Sequence, residues 1–141
     1  MAESLSLRLL QAGRAHQRAV AERLLAAVDP AIYQGLTAAS LGFLADLDCG
    51  ANHAAELARQ LGVSRQAVNR TVQELEAQGL LETRADPLRR NQRLIAFTAK
   101  GEALMADCRQ ALAEMDAALL SVAEVEAVEA AIAILERSAR S

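Results

Sequence analysis

Four polar residues that could contact nucleic acid lie close together near the middle of the chain: Arg65, Gln66, Asn69 and Arg70. The apolar residues Val68, Val72 and Leu75 are spaced i, i+4 and i+7, which is the spacing of one stripe along an α-helix. On such a helix the four polar residues fall on the side away from this stripe. Guanidinium and carboxamide groups hydrogen-bond to base edges and phosphates, so the pattern predicts a helix face that contacts nucleic acid.

A second short helix and a turn are predicted directly before this helix. Leu57, Ala58 and Leu61 form an apolar stripe at helical spacing, and Gly62 can adopt the left-handed conformation that ends a helix. Ser64 is a good N-cap residue for the helix that follows. Two short helices joined by a tight turn can place the second helix in a DNA major groove, so Ser64 joins the candidate DNA contacts.

A basic hairpin is predicted after the second helix. Residues 80–84 (LLETR) and 94–97 (LIAF) have the composition of short strands, and Asp86 and Pro87 between them favour a turn. The loop and its exit carry three arginines: Arg89, Arg90 and Arg93. Two strands and a basic loop form a wing that can reach DNA phosphates.

These segments resemble the winged helix-turn-helix regulators of the MarR (multiple antibiotic resistance regulator) family. The resemblance is carried by ELARQLGVS, by VNRTVQELEAQGLLETRADP with its R-x-V-x-x-L-E-x-x-G-L core, and by LIAFTAKGE, which is similar to the family's LTxxG entry to the next helix. It implies a mainly α fold with a small two- or three-stranded antiparallel wing and with N- and C-terminal helices that form a dimerisation region. It also implies a transcriptional regulator, expected to be a repressor, that binds double-stranded DNA as a homodimer.

The wing follows the family's pattern only in part. Asp86, Pro87 and Arg90 preserve D-P-x-x-R, so the resemblance makes Arg90 the wing-tip arginine. The family usually carries an aspartate where this chain has Arg89, and Leu88 is unusual in such a loop. In the family that aspartate braces the wing-tip arginine, so without it we expect either a more mobile tip or phosphate contact by both arginines. The complete set of predicted DNA contacts is Ser64, Arg65, Gln66, Asn69, Arg70, Arg89 and Arg90.

Both ends of the chain are predicted to form long helices. Residues 4–28 keep apolar residues at helical spacing, and Thr98 is a good N-cap residue for a helix after the wing. Ser121 and Glu124 form an S-x-x-E capping box for a last helix. That helix has apolar residues at alternating spacings of three and four, as coiled coils do: Val125, Val128, Ile132, Leu135 and Ala139.

A small winged domain cannot cover the apolar faces of these terminal helices by itself. In the resembling family the first and last helices pack between two subunits. We therefore expect one domain over residues 1–141, with the winged helix-turn-helix at 36–98 and dimerisation helices at 1–30 and 99–141. Two recognition helices related by a twofold axis would enter successive major grooves about 34 Å apart, on an inverted repeat.

Charge is distributed unevenly along the chain, whose formal net charge is −3. Residues 59–93 contain seven arginines against four acidic residues, which gives +3. Residues 101–141 contain three arginines against eight acidic residues, which gives −5. This asymmetry would orient the middle of the chain toward phosphates and the C-terminal helices away from them.

Several other classes of protein are disfavoured. The sequence contains no glycine-rich phosphate loop and no recognisable pairing of a nucleophile with a base, so we do not expect an enzyme. No apolar run reaches the roughly 18 residues of a membrane span, and no export signal is recognised, which favours the cytoplasm. Two cysteines and two histidines are too few and too scattered for a disulfide scaffold or a metal site, and no cofactor is expected.

The sequence also predicts the environment of each histidine and cysteine. His16 lies on an apolar stripe and is expected to be a core or interface residue rather than a ligand or pH sensor. His53 is expected to be an exposed loop residue, with donation to a phosphate as the alternative. Cys108 lies on an apolar stripe and should be buried. Cys49 has acidic neighbours that disfavour its thiolate, so redox sensing is not favoured for either cysteine.

Two questions stay open at this stage. Members of the resembling family commonly release DNA when a small anionic or aromatic molecule binds between the dimer region and the winged domain. Tyr33 and Phe43 are the candidate residues for such an effector site, with core packing as the alternative. A winged domain can also serve only as a protein-interaction module without binding DNA, although apolar residues at Arg65, Gln66 and Asn69 would then be expected.

Overall fold

The computed structural model describes residues 4–48, 52–89 and 91–140. Within these residues the chain forms six helices and one two-stranded sheet, in this order: α1 (Leu5–Ala27), α2 (Ala38–Asp48), α3 (Ala54–Leu61), α4 (Arg65–Ala77), β1 (Leu81–Ala85), β2 (Arg93–Phe97), α5 (Ala99–Leu120) and α6 (Val125–Ala139). The strands pair antiparallel, with Leu81 opposite Phe97 and Ala85 opposite Arg93. The predicted mainly α, winged helix-turn-helix fold is confirmed, with a wing of two strands.

Local sequence signals set the turn between α3 and α4. Gly62 follows α3 with a φ of 67°, a left-handed conformation that glycine adopts without strain. Ser64 then caps α4, because its Oγ accepts a hydrogen bond from the Ala67 N–H at 3.0 Å. The recognition helix α4 therefore begins at Arg65, as predicted.

One aliphatic core holds the recognition helix against the body of the protein. From α4 the side chains of Val68, Val72 and Leu75 are buried, and they join a cluster that includes Phe43 of α2 and Leu104 of α5. Full burial of each such side chain contributes about 1.5–3 kcal/mol. Packing of this apolar stripe stabilises α4 and also determines which side of the helix faces outward.

The end of α4, the start of β1 and the start of α5 meet at a close junction. Gly79 has a φ of 76°, and its carbonyl accepts a hydrogen bond from the Thr98 hydroxyl at 2.5 Å. The Thr98 Oγ1 also accepts from the Gly101 N–H at 3.1 Å, which confirms Thr98 as the N-cap of α5. A side chain on Gly101 would overlap the Leu80 carbonyl oxygen. The first turn of α5 is therefore in direct contact with the segment that ends the recognition helix.

The start of α6 differs from the prediction. Glu124 is the N-cap residue of α6 and makes no side-chain capping bond. Ser121 instead lies at the C-terminal end of α5 with helical φ and ψ of −76° and −19°, and its hydroxyl donates to the Ala118 carbonyl at 2.6 Å. The predicted Ser121–Glu124 capping box is wrong because α5 continues up to Ser121, whose hydroxyl is used there.

A side-chain bridge ties the wing to the start of α3. His53 precedes α3, and its Nε2 lies 2.8 Å from Asp86 Oδ2 in the wing turn. The other carboxylate oxygen of Asp86 accepts from the Leu88 N–H at 2.8 Å. Nearby, the Ile95 N–H donates to the Asn52 carbonyl at 2.8 Å. The expectation that His53 is an exposed loop residue is wrong, because its side chain is largely buried against Asp86.

This bridge predicts a specific pH dependence of stability. The Leu88 N–H and then the His53 side chain hold the pKa of Asp86 below its ordinary value. A carboxyl whose pKa is lowered by folding stabilises the protein above its unfolded pKa of about 4, and that contribution is lost as the pH falls through the lowered value. We expect Asp86→Asn to unfold at lower urea concentrations than the wild type at pH 7, with a difference that shrinks as the pH falls below about 4.

Asp116→Asn is the matched control, because Asp116 is exposed on α5. Urea unfolding followed by circular dichroism from neutral to acidic pH measures both variants. A constant difference between Asp86→Asn and the wild type at every pH would contradict this role of the Asp86 carboxylate.

Candidate nucleic-acid interface

The side of α4 away from the core is polar and exposed. Its exposed residues include all of the predicted contacts on this helix: Arg65, Gln66, Asn69 and Arg70. In the part of the chain that the structure describes, no ion pair or hydrogen bond engages the guanidinium groups of Arg65 and Arg70. Both guanidinium groups are therefore available to an external partner.

The start of α4 concentrates donors at one point. Ser64 is exposed, and because its Oγ acts as an acceptor for the helix cap, its O–H stays available as a donor. Arg65 and Gln66 occupy the first turn of α4, where unpaired backbone N–H groups give a partial positive charge. This end of the helix therefore favours an anion such as a phosphate.

A polar groove separates the recognition helix from the wing. It has a volume of about 610 Å³, and its lining includes Asn69 and Gln73 of α4 and Arg93 of β2. Across its floor the Thr83 hydroxyl donates to the Glu76 carboxylate, while the Arg93 guanidinium donates to the Thr83 carbonyl at 3.4 Å. The wing and the recognition helix are thus held on either side of a continuous polar surface.

Arg89, which stands where the family usually carries an aspartate, contacts two polar side chains at the wing tip. Its Nη1 donates to Gln92 Oε1 at 3.1 Å and lies 3.8 Å from Glu56 Oε1 on α3. About half of the Arg89 side chain stays exposed. Sequence analysis missed Glu56 because it lies 33 positions before Arg89 and no local pattern connects the two. The predicted contact Arg90 lies outside the described residues.

The two candidate effector residues line different cavities. Phe43 lines a cavity of about 740 Å³ between α1, α2 and α4, whereas Tyr33 lines a separate one of about 390 Å³ beside Gln78 and Lys100. Both side chains are buried in the core, and burial raises the pKa of Tyr33. The third wall of the larger cavity is the recognition helix α4.

The remaining candidate residues offer no reactive site among the described residues. Burial raises the pKa of the Cys108 thiol, which keeps it protonated near neutral pH. His16 is exposed in the single chain, so it is not a core residue, and Cys49 lies outside the described part. No group of three or more potential metal ligands occurs in residues 4–48, 52–89 and 91–140. None of the described helices is both long and apolar enough to cross a membrane.

Comparison with known proteins agrees with this geometry. Residues 35–90 match the family model described as MarR family, and no curated protein matches the chain. CouR from Rhodococcus jostii RHA1, bound to p-coumaroyl-CoA, has 22% identity and a TM-score of 0.76 over 95% of this chain and 90% of its own. The M. tuberculosis transcriptional regulator MOSR in complex with DNA has 23% identity and a TM-score of 0.67 over 98% and 97%.

Wild-type MarR from E. coli in its apo form is similar over 98% of both chains, with 21% identity and a TM-score of 0.69. At these identities the solved structures establish the shared fold, while the family model adds a match in sequence. Residues 35–90 are therefore similar in sequence to the MarR family, and the chain as a whole shares the fold of the solved structures that it resembles.

Proposed function

We propose that this protein is a transcriptional regulator that binds double-stranded DNA sequence-specifically through α4 and the wing. The observation that carries the proposal is the exposed face of α4, where the guanidinium groups of Arg65 and Arg70 have no ion pair or hydrogen bond in the described part of the chain. A surface that served only protein contacts would more often present apolar residues at these positions. The DNA complex of MOSR, which shares the fold, supports this function.

The position of each side chain suggests its role. Arg65 and Gln66, nearest the N-terminus of α4, would contact base edges in the major groove, followed by Asn69. Arg70 and the Ser64 hydroxyl would contact phosphates that flank the groove. Arg89 and Arg90 would contact phosphates along the adjoining stretch of DNA, since the wing lies across the polar groove from α4.

We further propose that the protein acts as a homodimer. None of the residues of α6 is buried, and Val125, Ile132 and Leu135 on its apolar stripe are 45%, 50% and 44% exposed. A 15-residue helix needs packing on its apolar face to be stable in water. A second copy, packed through residues 1–30 and 99–141, would cover these side chains and leave residues 36–98 as the winged unit. Two α4 helices would then bind an inverted repeat.

An effector site is proposed in the cavity that Phe43 lines. CouR, which shares the fold, is bound to p-coumaroyl-CoA. In this chain the cavity of about 740 Å³ is bounded by α1 and α2 on one side and by Val68 and Thr71 of α4 on the other. A ligand there would bias the position of α4 by its differential affinity for two states. Release of DNA by such a ligand would make the protein a ligand-controlled repressor in the cytoplasm.

DNA binding is tested by arginine substitutions with one matched control. We expect Arg65→Ala to lower affinity for an operator selected from a random pool by about 1–3 kcal/mol, with a smaller loss on random duplex, because a base contact is removed. Arg89→Ala should weaken binding to both duplexes and reduce the salt slope by about one, because a phosphate contact is removed. Fluorescence anisotropy over a range of salt concentrations measures both effects.

Arg23→Ala removes the same charge from α1, where Arg23 pairs with Glu114 of α5 at 3.6 Å. This control should leave affinity and salt slope unchanged. Wild-type protein that binds neither duplex would favour the alternative function, a protein-interaction module. Unchanged binding by both the Arg65 and the Arg89 variants would remove the assigned interface.

The dimer is tested by placing a charge on either side of α6. We expect Ile132→Asp to dissociate the dimer in sedimentation velocity and to weaken operator binding, because a carboxylate would be buried against the second copy. Ala130→Asp places the same charge about 200° around the helix from Ile132 and should stay dimeric. A wild-type protein that is monomeric at micromolar concentration, or two dimeric variants, would disprove this interface.

The effector site is tested on the preformed DNA complex. We expect p-coumaroyl-CoA or one of a panel of aromatic carboxylates to release DNA from the wild type. Ala21→Phe, which fills the cavity from α1, should bind DNA normally and resist release, because the ligand can no longer enter. Equal release from both proteins, or release from neither, would show that this cavity is not the effector site.

A further inference from the structure

Leu88 at the wing tip is the most exposed large apolar side chain of the described residues, at 92%. Most other exposed large apolar residues lie in α1, in α5, in α6 or in the turn after α5, where a second copy would cover them. In the described residues between α2 and β2, only Val63 is a second exposed apolar side chain of this size, and it lines the cavity beside α4. Leu88 has no comparable neighbour to pack against.

The backbone that carries Leu88 is held in place. Its N–H donates to Asp86 Oδ1 at 2.8 Å, and Asp86 Oδ2 lies 2.8 Å from His53 Nε2 at the start of α3. The turn is closed by hydrogen bonds from the Asp86 N–H to the Gln92 carbonyl at 3.2 Å and from the Arg89 N–H to the Asp86 carbonyl at 3.3 Å. An apolar side chain on a fixed turn loses little backbone entropy when it binds a partner.

The residues next to Leu88 indicate what kind of molecule could bind it. Leu88 stands between Pro87 and the partly exposed Arg89, so one apolar group is presented next to a cation. A protein interface or a membrane surface would require a larger contiguous apolar area than a single leucine provides. The minor groove of DNA combines a negative potential with apolar sugar walls, and small apolar wedges are known to enter it between base steps.

We propose that Leu88 is a specificity-determining residue that enters the minor groove and wedges at a base step beneath the wing. This inference rests on the proposed DNA-binding function. Insertion unstacks the step, so a flexible pyrimidine–purine step would be preferred there over a stiff A-tract. The wing then contributes to sequence preference through the deformability of the DNA, while Arg89 contributes a phosphate contact that does not depend on sequence.

The test compares Leu88→Ala with Leu88→Met and Arg89→Ala on an operator selected from a random pool. We expect Leu88→Ala to lose about tenfold in affinity because a buried apolar contact is removed, with an unchanged salt slope because no counterion is involved. Leu88→Met keeps an apolar side chain of similar volume and should bind within a few-fold of the wild type. Arg89→Ala should instead reduce the salt slope by about one.

Base unstacking is measured with 2-aminopurine placed in turn at each step of the flank beneath the wing. We expect its fluorescence to rise at one step with the wild type and with Leu88→Met, but not with Leu88→Ala. Equal affinity of Leu88→Ala and wild type, or a fluorescence rise in both, would overturn the role of Leu88 while leaving DNA binding intact. No salt-dependent binding by the wild type would instead refute the proposed function itself.

Discussion

The burial of a single apolar stripe on α4 determines what the protein presents to its surroundings. Val68, Val72 and Leu75 are 1%, 6% and 1% exposed, and a helix with 3.6 residues per turn cannot bury these three without turning Gln66 and Arg70 outward. The same side chains that stabilise the fold therefore also orient the polar face. Substitutions in this stripe would disturb stability and the proposed DNA contact together, whereas substitutions on the outer face would affect the proposed contact alone.

The junction around Gly79 makes the position of α4 dependent on α5. The Thr98 hydroxyl joins the Gly79 carbonyl to the first turn of α5, and Lys100 of α5 donates to the Gln78 carbonyl at 3.3 Å. Gly101 allows the Leu80 carbonyl to approach more closely than any side chain would permit. Because these bonds join the start of α5 to the end of α4, a change in how two copies of α5 pack in the proposed homodimer would also change the distance between the two α4 helices.

The features that sequence analysis predicted correctly have determinants within a few residues of each other. Gly62, Ser64 and Thr98 end or begin helices through bonds to neighbours at most four positions away. The two residues of the His53–Asp86 bridge are 33 positions apart. No sequence pattern predicts contact between a residue that precedes a helix and an aspartate in a distant turn. Ser121 failed as a predicted N-cap because α5 continues up to it and its hydroxyl donates to the Ala118 carbonyl instead.

The net charge of the chain is a poor guide to the electrostatic potential at α4 and the wing, because acidic side chains there already have partners within the protein. Glu76 accepts from Thr83, and Glu82 pairs with Arg84 in the wing. The charges of Glu82 and Arg84 therefore largely cancel within the wing, whereas the neutral Thr83 hydroxyl orients the Glu76 carboxylate without cancelling its charge. Arg65 and Arg70 have no such pairing in the described residues. The potential near the start of α4 is therefore dominated by these two guanidinium groups and by the N-terminus of the helix, and the net charge of −3 of the whole chain says little about it.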